Sequence, residues 1–212
     1  MKGITTLLFD IDGTVLNTEE FILKATEHSL ATLGYSVPDR SVIKKVVGMP
    51  FPDYYFMLAG INADADKLIE AHRNFQFKNF SLSVPFTNSV KVLKKLKEKG
   101  YKLAAITTRH KNSSHRTLIQ AGVFDLFDTI ITTDLVKETK PDPTPLLKAL
   151  EILKEIPSHA VMIGDSHFDI QAGKNAGTKT IRATYGFHKD NLHNPRPDYF
   201  IDDIKDLLDI IK

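Results

Sequence analysis

Apolar residues recur along this chain in two rhythms. Residues 4–9 (ITTLLF) are short, β-branched and apolar, and the run stops at Asp10 and Gly13, as a buried strand does. From Asn17 the period lengthens. NTEE reads as a helix start, with Asn17 as N-cap and Glu20 at the third helical position. Ile22, Ala25, Ser29 and Leu33 then trace one face, and Gly34 closes the helix. SVIKKVV before Gly48, PDYYFMLA before Gly60, and DADKLIEAHRNFQFKNF with Leu68, His72 and Phe75 on one side all continue the helical pattern. Residues 17–81 are therefore expected to be nearly all helix, with Tyr54, Tyr55, Phe56, Phe75 and Phe77 forming that block's own core.

After Pro85 the two rhythms alternate. Residues 88–99 are a Lys-rich amphipathic helix with Val90, Leu93 and Leu96 facing in, and KLAAIT (102–107) is a strand. NSSHRTLIQAG is a helix ended by Gly122, and DTIITT (128–133) is a strand. TPLLKALEIL is a helix with Thr144 as N-cap and Pro145 at its first position. AVMIG (160–164), TKTIRAT (178–184) and DYFI (198–201) read as further strands, with helices between them and over 202–211. This alternation predicts an α/β fold, a Rossmann-like parallel sheet with helices on both faces. The helical block after the first strand predicts an all-helical cap over residues 17–81, inserted into a core made of residues 1–16 and 82–212. A length of 212 residues suits one core with a modest insertion.

Composition narrows the class. The chain is 42% hydrophobic and 25% charged, with 28 basic against 26 acidic residues, so it offers no electrostatic footprint for nucleic acid or an anionic membrane. It has no cysteine, hence no disulfide and no thiolate metal site. No apolar segment of signal-peptide or membrane-spanning length is present, and a soluble cytoplasmic protein, monomer or homodimer, is expected.

Three of the apolar strands end in chemistry: LLF before Asp10, AAI before Thr107, and VMI before Gly164 and Asp165. In open α/β sheets ligands collect at the carboxyl ends of strands, so these residues are expected to converge. Lys140, in the Pro-flanked loop ETKPDPTP, is a fourth candidate. Asp10 and Asp12 point the same way in an extended segment, and two carboxylates so close call for a cation or for one of them to stay protonated. Oxygen donors alone favour a hard divalent ion, and Mg²⁺ suits them best, with Asp165 completing the protein ligands. Such a set can perform phosphoryl transfer. Asp10 would act as nucleophile, Asp12 as acid and base, and Lys140 and the Thr107 hydroxyl would hold phosphate oxygens. A calcium loop is excluded, because its sixth and twelfth positions would be Val15 and Phe21 instead of Gly and Glu.

DIDGT at 10–14, the strand-end Thr107, KPDP at 140–143 and GDSHFD at 164–169 resemble, in order, the four motifs of the haloacid dehalogenase-like hydrolases. NAGTKTIRATYG at 175–186 is similar to a stretch of the phosphoglycolate-phosphatase and pyrophosphatase branch, and the helical insertion matches members with a helical cap. The resemblance implies that Asp10 is nucleophile and metal ligand. Asp12 would be acid and base with its main-chain carbonyl on the metal, and Asp165 a further ligand. Thr107, Thr108 and Lys140 would bind phosphate, with Asp169 supporting the site. The presence of Asp12 argues against dehalogenation. Thr108-Arg109 departs from the Asn-Lys of many related sequences. The substrate implied is a small phosphorylated metabolite, a phosphoglycolate-like monoester, or pyrophosphate. A phosphomutase of the same fold is the nearest alternative, and a phosphate-accepting signalling module a more distant one. Arg109, Asn17, Arg73 and the Gly48-Met49-Pro50 loop are the candidates for substrate contact.

Overall fold

The structure, a computed structural model, describes residues 1–188 and 193–211. Its first strand, β1 (Thr6–Phe9), is followed by a two-residue strand β2 (Leu16–Asn17). Four helices come next: α1 (Glu19–Thr32), α2 (Arg40–Val46), α3 (Asp53–Ala59) and α4 (Ala65–Lys78). A second two-residue strand, β3 (Val84–Pro85), pairs antiparallel with β2, Leu16 opposite Pro85 and Asn17 opposite Val84. The sequence pattern contained no strand here, because two residues are too few to establish a period. The remaining elements alternate as α5 (Ser89–Glu98), β4 (Lys102–Ile106), α6 (Lys111–Gln120), β5 (Thr129–Ile131), α7 (Thr144–Leu153), β6 (Ala160–Gly164), α8 (His167–Ala176), β7 (Lys179–Ala183), β8 (Tyr199–Ile201) and α9 (Leu207–Ile210). No described helix is long and apolar enough to cross a membrane.

Six strands form one parallel sheet in the order β5-β4-β1-β6-β7-β8. Side chains alternate across each strand, so both faces must be covered. Leu7, Phe9, Leu103, Ala105, Val161 and Ile163 enter one core with Leu93 and Leu96 of α5 and Leu118 of α6. Leu8, Ala104, Ile106 and Met162 enter the other with Leu146 and Ala149 of α7 and Ala172 of α8. Every residue of β1 is fully buried, and all but Thr6 are apolar.

A third apolar cluster lies within α1–α4, built from Leu23, Leu30, Ile43, Tyr54, Tyr55 and Leu68 and completed by Phe187 from the segment after β7. Tyr54 and Tyr55 take the core positions expected of them, but Phe77 does not. Its ring is exposed and lies under the Arg116 guanidinium, 4.1 Å from ring centroid to charge. Two helix starts also move. Glu19 opens α1, with the Asn17 side chain accepting its N–H at 3.3 Å. Thr144 is the first residue of α7 instead of its cap, Pro143 standing at the N-cap position and the Asp142 carboxylate accepting from Thr144 N–H at 2.8 Å. No helix appears between β7 and β8 among the described residues.

Candidate active site

Because β1 lies at the middle of the sheet between β4 and β6, the residues following these three strands are neighbours. Asp10 extends β1 through its N–H to Ile163 O at 2.8 Å, and Thr107 extends β4 through its N–H to Ile131 O at 3.0 Å. Asp165 follows β6. Lys140 reaches over from the loop between β5 and α7 and is nearly sealed from solvent. Its ammonium donates to Asp10 Oδ1 at 2.6 Å, to Asp169 Oδ1 at 2.6 Å and to Ile106 O at 3.1 Å. All three of its N–H bonds are thereby used.

Asp169 is held from its other oxygen by Ser166, which donates its N–H at 3.0 Å and its hydroxyl at 2.5 Å. The Ser166 hydroxyl in turn accepts from Asp169 N–H, so the capping box that starts α8 also fixes a carboxylate in the site. Asp165 is gripped by backbone. Its Oδ2 accepts from Phe187 N–H at 2.6 Å and from His188 N–H at 3.3 Å. The chain wraps this carboxylate closely enough that a Cβ on Gly186 would sit 2.3 Å from it and one on Gly13 2.4 Å. Gly13 also adopts φ +81°, a left-handed conformation that a side chain would strain.

One oxygen from each of Asp10, Asp165 and Asp169 lies within 4.8 Å of the other two. Burial raises Asp10 well above the ordinary carboxylate range; Lys140 opposes the rise, and the charges of Asp169, Asp12 and Asp165 add to it. Burial and then the Asp169 charge lift Asp165 to about 7, against the two N–H bonds it accepts. Burial would also raise Asp169, but the ammonium beside it holds it below its usual value. Lys140 would be lowered by burial, and its two carboxylates reverse that. Lys140 is the cation bonded to these acids and the buried Arg182 also acts on Asp165 and Asp169, so the three acids still outnumber the two cations. The donors are oxygens, so the residues fit a hard divalent cation.

These groups form the floor of a cavity of about 690 Å³ whose roof comes from α1, α3, α4 and the segment between α2 and α3. Thr108, Arg109, Arg73 and Gly48-Met49-Pro50 line it, as the sequence suggested, and Thr107 lies buried beside it with its hydroxyl accepting from Arg109 N–H at 3.1 Å. Asn17 is not brought there; it is exposed and spends its side chain on α1. Asp12 lines the cavity but turns its carboxylate away from the acidic cluster, onto Arg109 and Thr18. Sequence reasoning missed Phe187 and His188, because a backbone N–H leaves no mark in residue type. Gly186 was the only signal.

His72 of α4 also lines the cavity, with its Nδ1 2.8 Å from the Tyr55 hydroxyl. Burial, helped by the charges of Arg109 and Arg73, lowers it to about 3, so the ring is neutral in the fold. The unfolded chain takes up a proton near 6.5 that the folded chain refuses. Stability is thus complete above that pH and is lost progressively as pH falls toward 3. The melting temperature is expected to fall on acidification from neutrality to about pH 4, and to fall less in His72→Gln, which keeps a hydrogen-bonding partner for Tyr55. Parallel melting curves of the two proteins check this. Identical pH dependence would rule His72 out as the source.

Residues 7–183 match the family described as haloacid dehalogenase-like hydrolase. A curated relative, pyrophosphatase PpaX of Bacillus velezensis, is 36% identical over 212 residues, covering 99% of this chain and 97% of its own. Among solved structures, a haloacid dehalogenase-like family hydrolase of Streptococcus pneumoniae superposes with TM-score 0.88 at 23% identity, over 100% of both chains. A predicted phosphoglycolate phosphatase of Haemophilus somnus superposes with TM-score 0.89 at 24% identity, again over 100% of both. At these identities the two structures speak to the fold.

Proposed function

This chain belongs to the haloacid dehalogenase-like hydrolases, and on that premise we propose that it is a Mg²⁺-dependent phosphatase of small soluble phosphate compounds, with pyrophosphate its foremost substrate. The observation that carries this reading is the meeting of Asp10, Lys140, Asp165 and Asp169 at one buried point below a cavity of metabolite size. The choice of pyrophosphate rests on the similarity to a pyrophosphatase and on the cavity's other charges. Outside the four aspartates and Lys140, these are Arg73, Arg109 and Lys137 against Glu138 alone.

Asp10, Asp165 and the main-chain carbonyl of Asp12 would hold the ion, with Asp169 in support. Bound there, the ion would neutralise phosphate charge so that an anionic nucleophile can approach phosphorus. Lys140 orients Asp10 and would exchange one of its present partners for a non-bridging phosphate oxygen, while Thr107 and Thr108 would hold the others. An Asp10 carboxylate oxygen forms a bond to phosphorus as the bond to the leaving oxygen breaks, and Asp12 gives that oxygen its proton. Asp12 then takes a proton from water. The water oxygen attacks the aspartyl-phosphate, the carboxylate is restored and inorganic phosphate leaves. Residues 17–81 act as the cap that excludes bulk water during the first step.

The test is phosphate release from pyrophosphate, phosphoglycolate, sugar phosphates and nucleotides, with no sugar bisphosphate activator present. Release from pyrophosphate is expected. EDTA should stop it, and Mg²⁺ but not Zn²⁺ should restore it. Turnover that depends on a bisphosphate activator would instead identify a mutase, and no release from any compound would end the proposal.

A further inference from the structure

The side chain expected to carry the proton is occupied. Arg109 donates from Nε to Asp12 Oδ2 at 2.8 Å and from a terminal nitrogen to Oδ1 at 2.5 Å, and the Thr18 hydroxyl donates to Oδ1 at 2.6 Å. The two charged side chains are only 9% and 14% exposed. A fork of this kind is among the strongest polar contacts a protein makes, and it fixes the orientation of both partners. Arg109 is itself braced. Its other terminal nitrogen donates to Thr117 Oγ1 at 3.0 Å, and its guanidinium carbon lies 4.8 Å from the centre of the Phe21 ring on α1. Meanwhile the Asp12 carboxylate has no part in the group formed by Asp10, Asp165 and Asp169.

Held in this way, the carboxylate is fixed on Arg109 and Thr18 with both of its oxygens engaged. For Asp12 to work, Arg109 must release it, and a guanidinium this poorly hydrated is released only toward another anion. The cavity supplies the place for that anion, since Arg109 lines it together with Arg73 and Lys137. Resting on the phosphatase reading above, we propose that Arg109 is a latch on Asp12, opened by the negative charge of the substrate's own leaving group. Compounds whose leaving group carries anionic oxygens, such as pyrophosphate or phosphoglycolate, take Arg109 and free the acid. Compounds that release a neutral alcohol leave it closed. Arg109 acts here as a positioning residue, and selectivity comes from releasing the acid as well as from binding the substrate.

The experiment compares four substrates with the Mg²⁺-loaded enzyme: pyrophosphate and phosphoglycolate against glycerol 1-phosphate and ethyl phosphate. The wild type is expected to favour the anionic pair by about 100-fold in kcat/KM, as a site with committed polar groups does. In Arg109→Gln the preference should shrink to about threefold or less, because KM for the anionic pair rises while kcat for the neutral pair also rises. Arg109→Lys should recover part of the preference, since it keeps the charge without the fork. Binding gives a second readout: affinity for methylenebisphosphonate should drop by about tenfold in Arg109→Gln, and affinity for inorganic phosphate should change far less. A uniform loss on all four substrates, or an unchanged preference, overturns the latch and leaves the phosphatase reading in place. A wild type that releases phosphate from none of the four removes both.

Discussion

Asp10→Asn is expected to lower kcat for phosphate release by about 10⁴-fold or more while the protein stays folded, because the amide cannot form the acyl-phosphate of the proposed first step. The fold should survive. Burial already disfavours the ionised form of this side chain, and Lys140 keeps Asp169 as its partner when Asp10 loses its charge. Rapid-quench measurement with labelled pyrophosphate gives the direct check: the wild type should trap an acid-stable phosphoryl group on the chain, and the variant none. Turnover near the wild-type rate in Asp10→Asn would show that some other group attacks phosphorus.

Replacing Lys140 should have the opposite balance of effects, with stability suffering as much as chemistry. Lys140→Met removes the ammonium bonded to Asp10 and Asp169 and leaves both buried carboxylates without their contacting cation. Breaking a buried ion pair from one side costs about 3–5 kcal/mol, because the remaining charge stays desolvated. Uptake of protons by the carboxyl groups should reduce that cost at acid pH, so the gap from wild type is expected to widen from pH 5 to pH 8, as ordinary carboxyl groups would all be ionised by about pH 6. Turnover should fall as well, by about 10²–10³-fold, the usual effect of losing one group that stabilises developing charge. Urea denaturation across pH measures the first effect and phosphate release the second. A variant within about 1 kcal/mol of wild type at pH 8 would mean that the cluster is not held together by this cation.

The middle of the predicted sheet could be read from the chain because β1, β4 and β6 are buried on both faces, so each is a largely apolar run cut off by polar residues. β6 begins and ends where the pattern placed it, at Ala160 and Gly164. The capping box at Ser166 and Asp169 is local in the same sense, since both partners lie within one helical turn. Asp10, Lys140 and Asp165 could be nominated from strand ends and proline-bounded loops, and the structure does bring them together. What escaped depends on contacts between distant residues of ordinary type. Asp12 and Arg109 are 97 positions apart, and nothing local to either announces the fork between them. The grip on Asp165 comes from main-chain N–H groups, which every residue but proline possesses. The β2–β3 ribbon is shorter than any period that could reveal it.

Phe187 has two attachments. Its ring completes the apolar cluster of α1–α4, and its N–H holds Asp165 at 2.6 Å. Thermodynamic reciprocity then applies: whatever free energy the seated ring lends to the orientation of that carboxylate, an occupant of the carboxylate returns to the seating of the ring. Loading the acidic pocket and shutting the helical roof become two halves of one equilibrium. On the proposed phosphatase reading, an open molecule of this design would hold its cation poorly, and Asp10 would be disarmed whenever solvent had free entry.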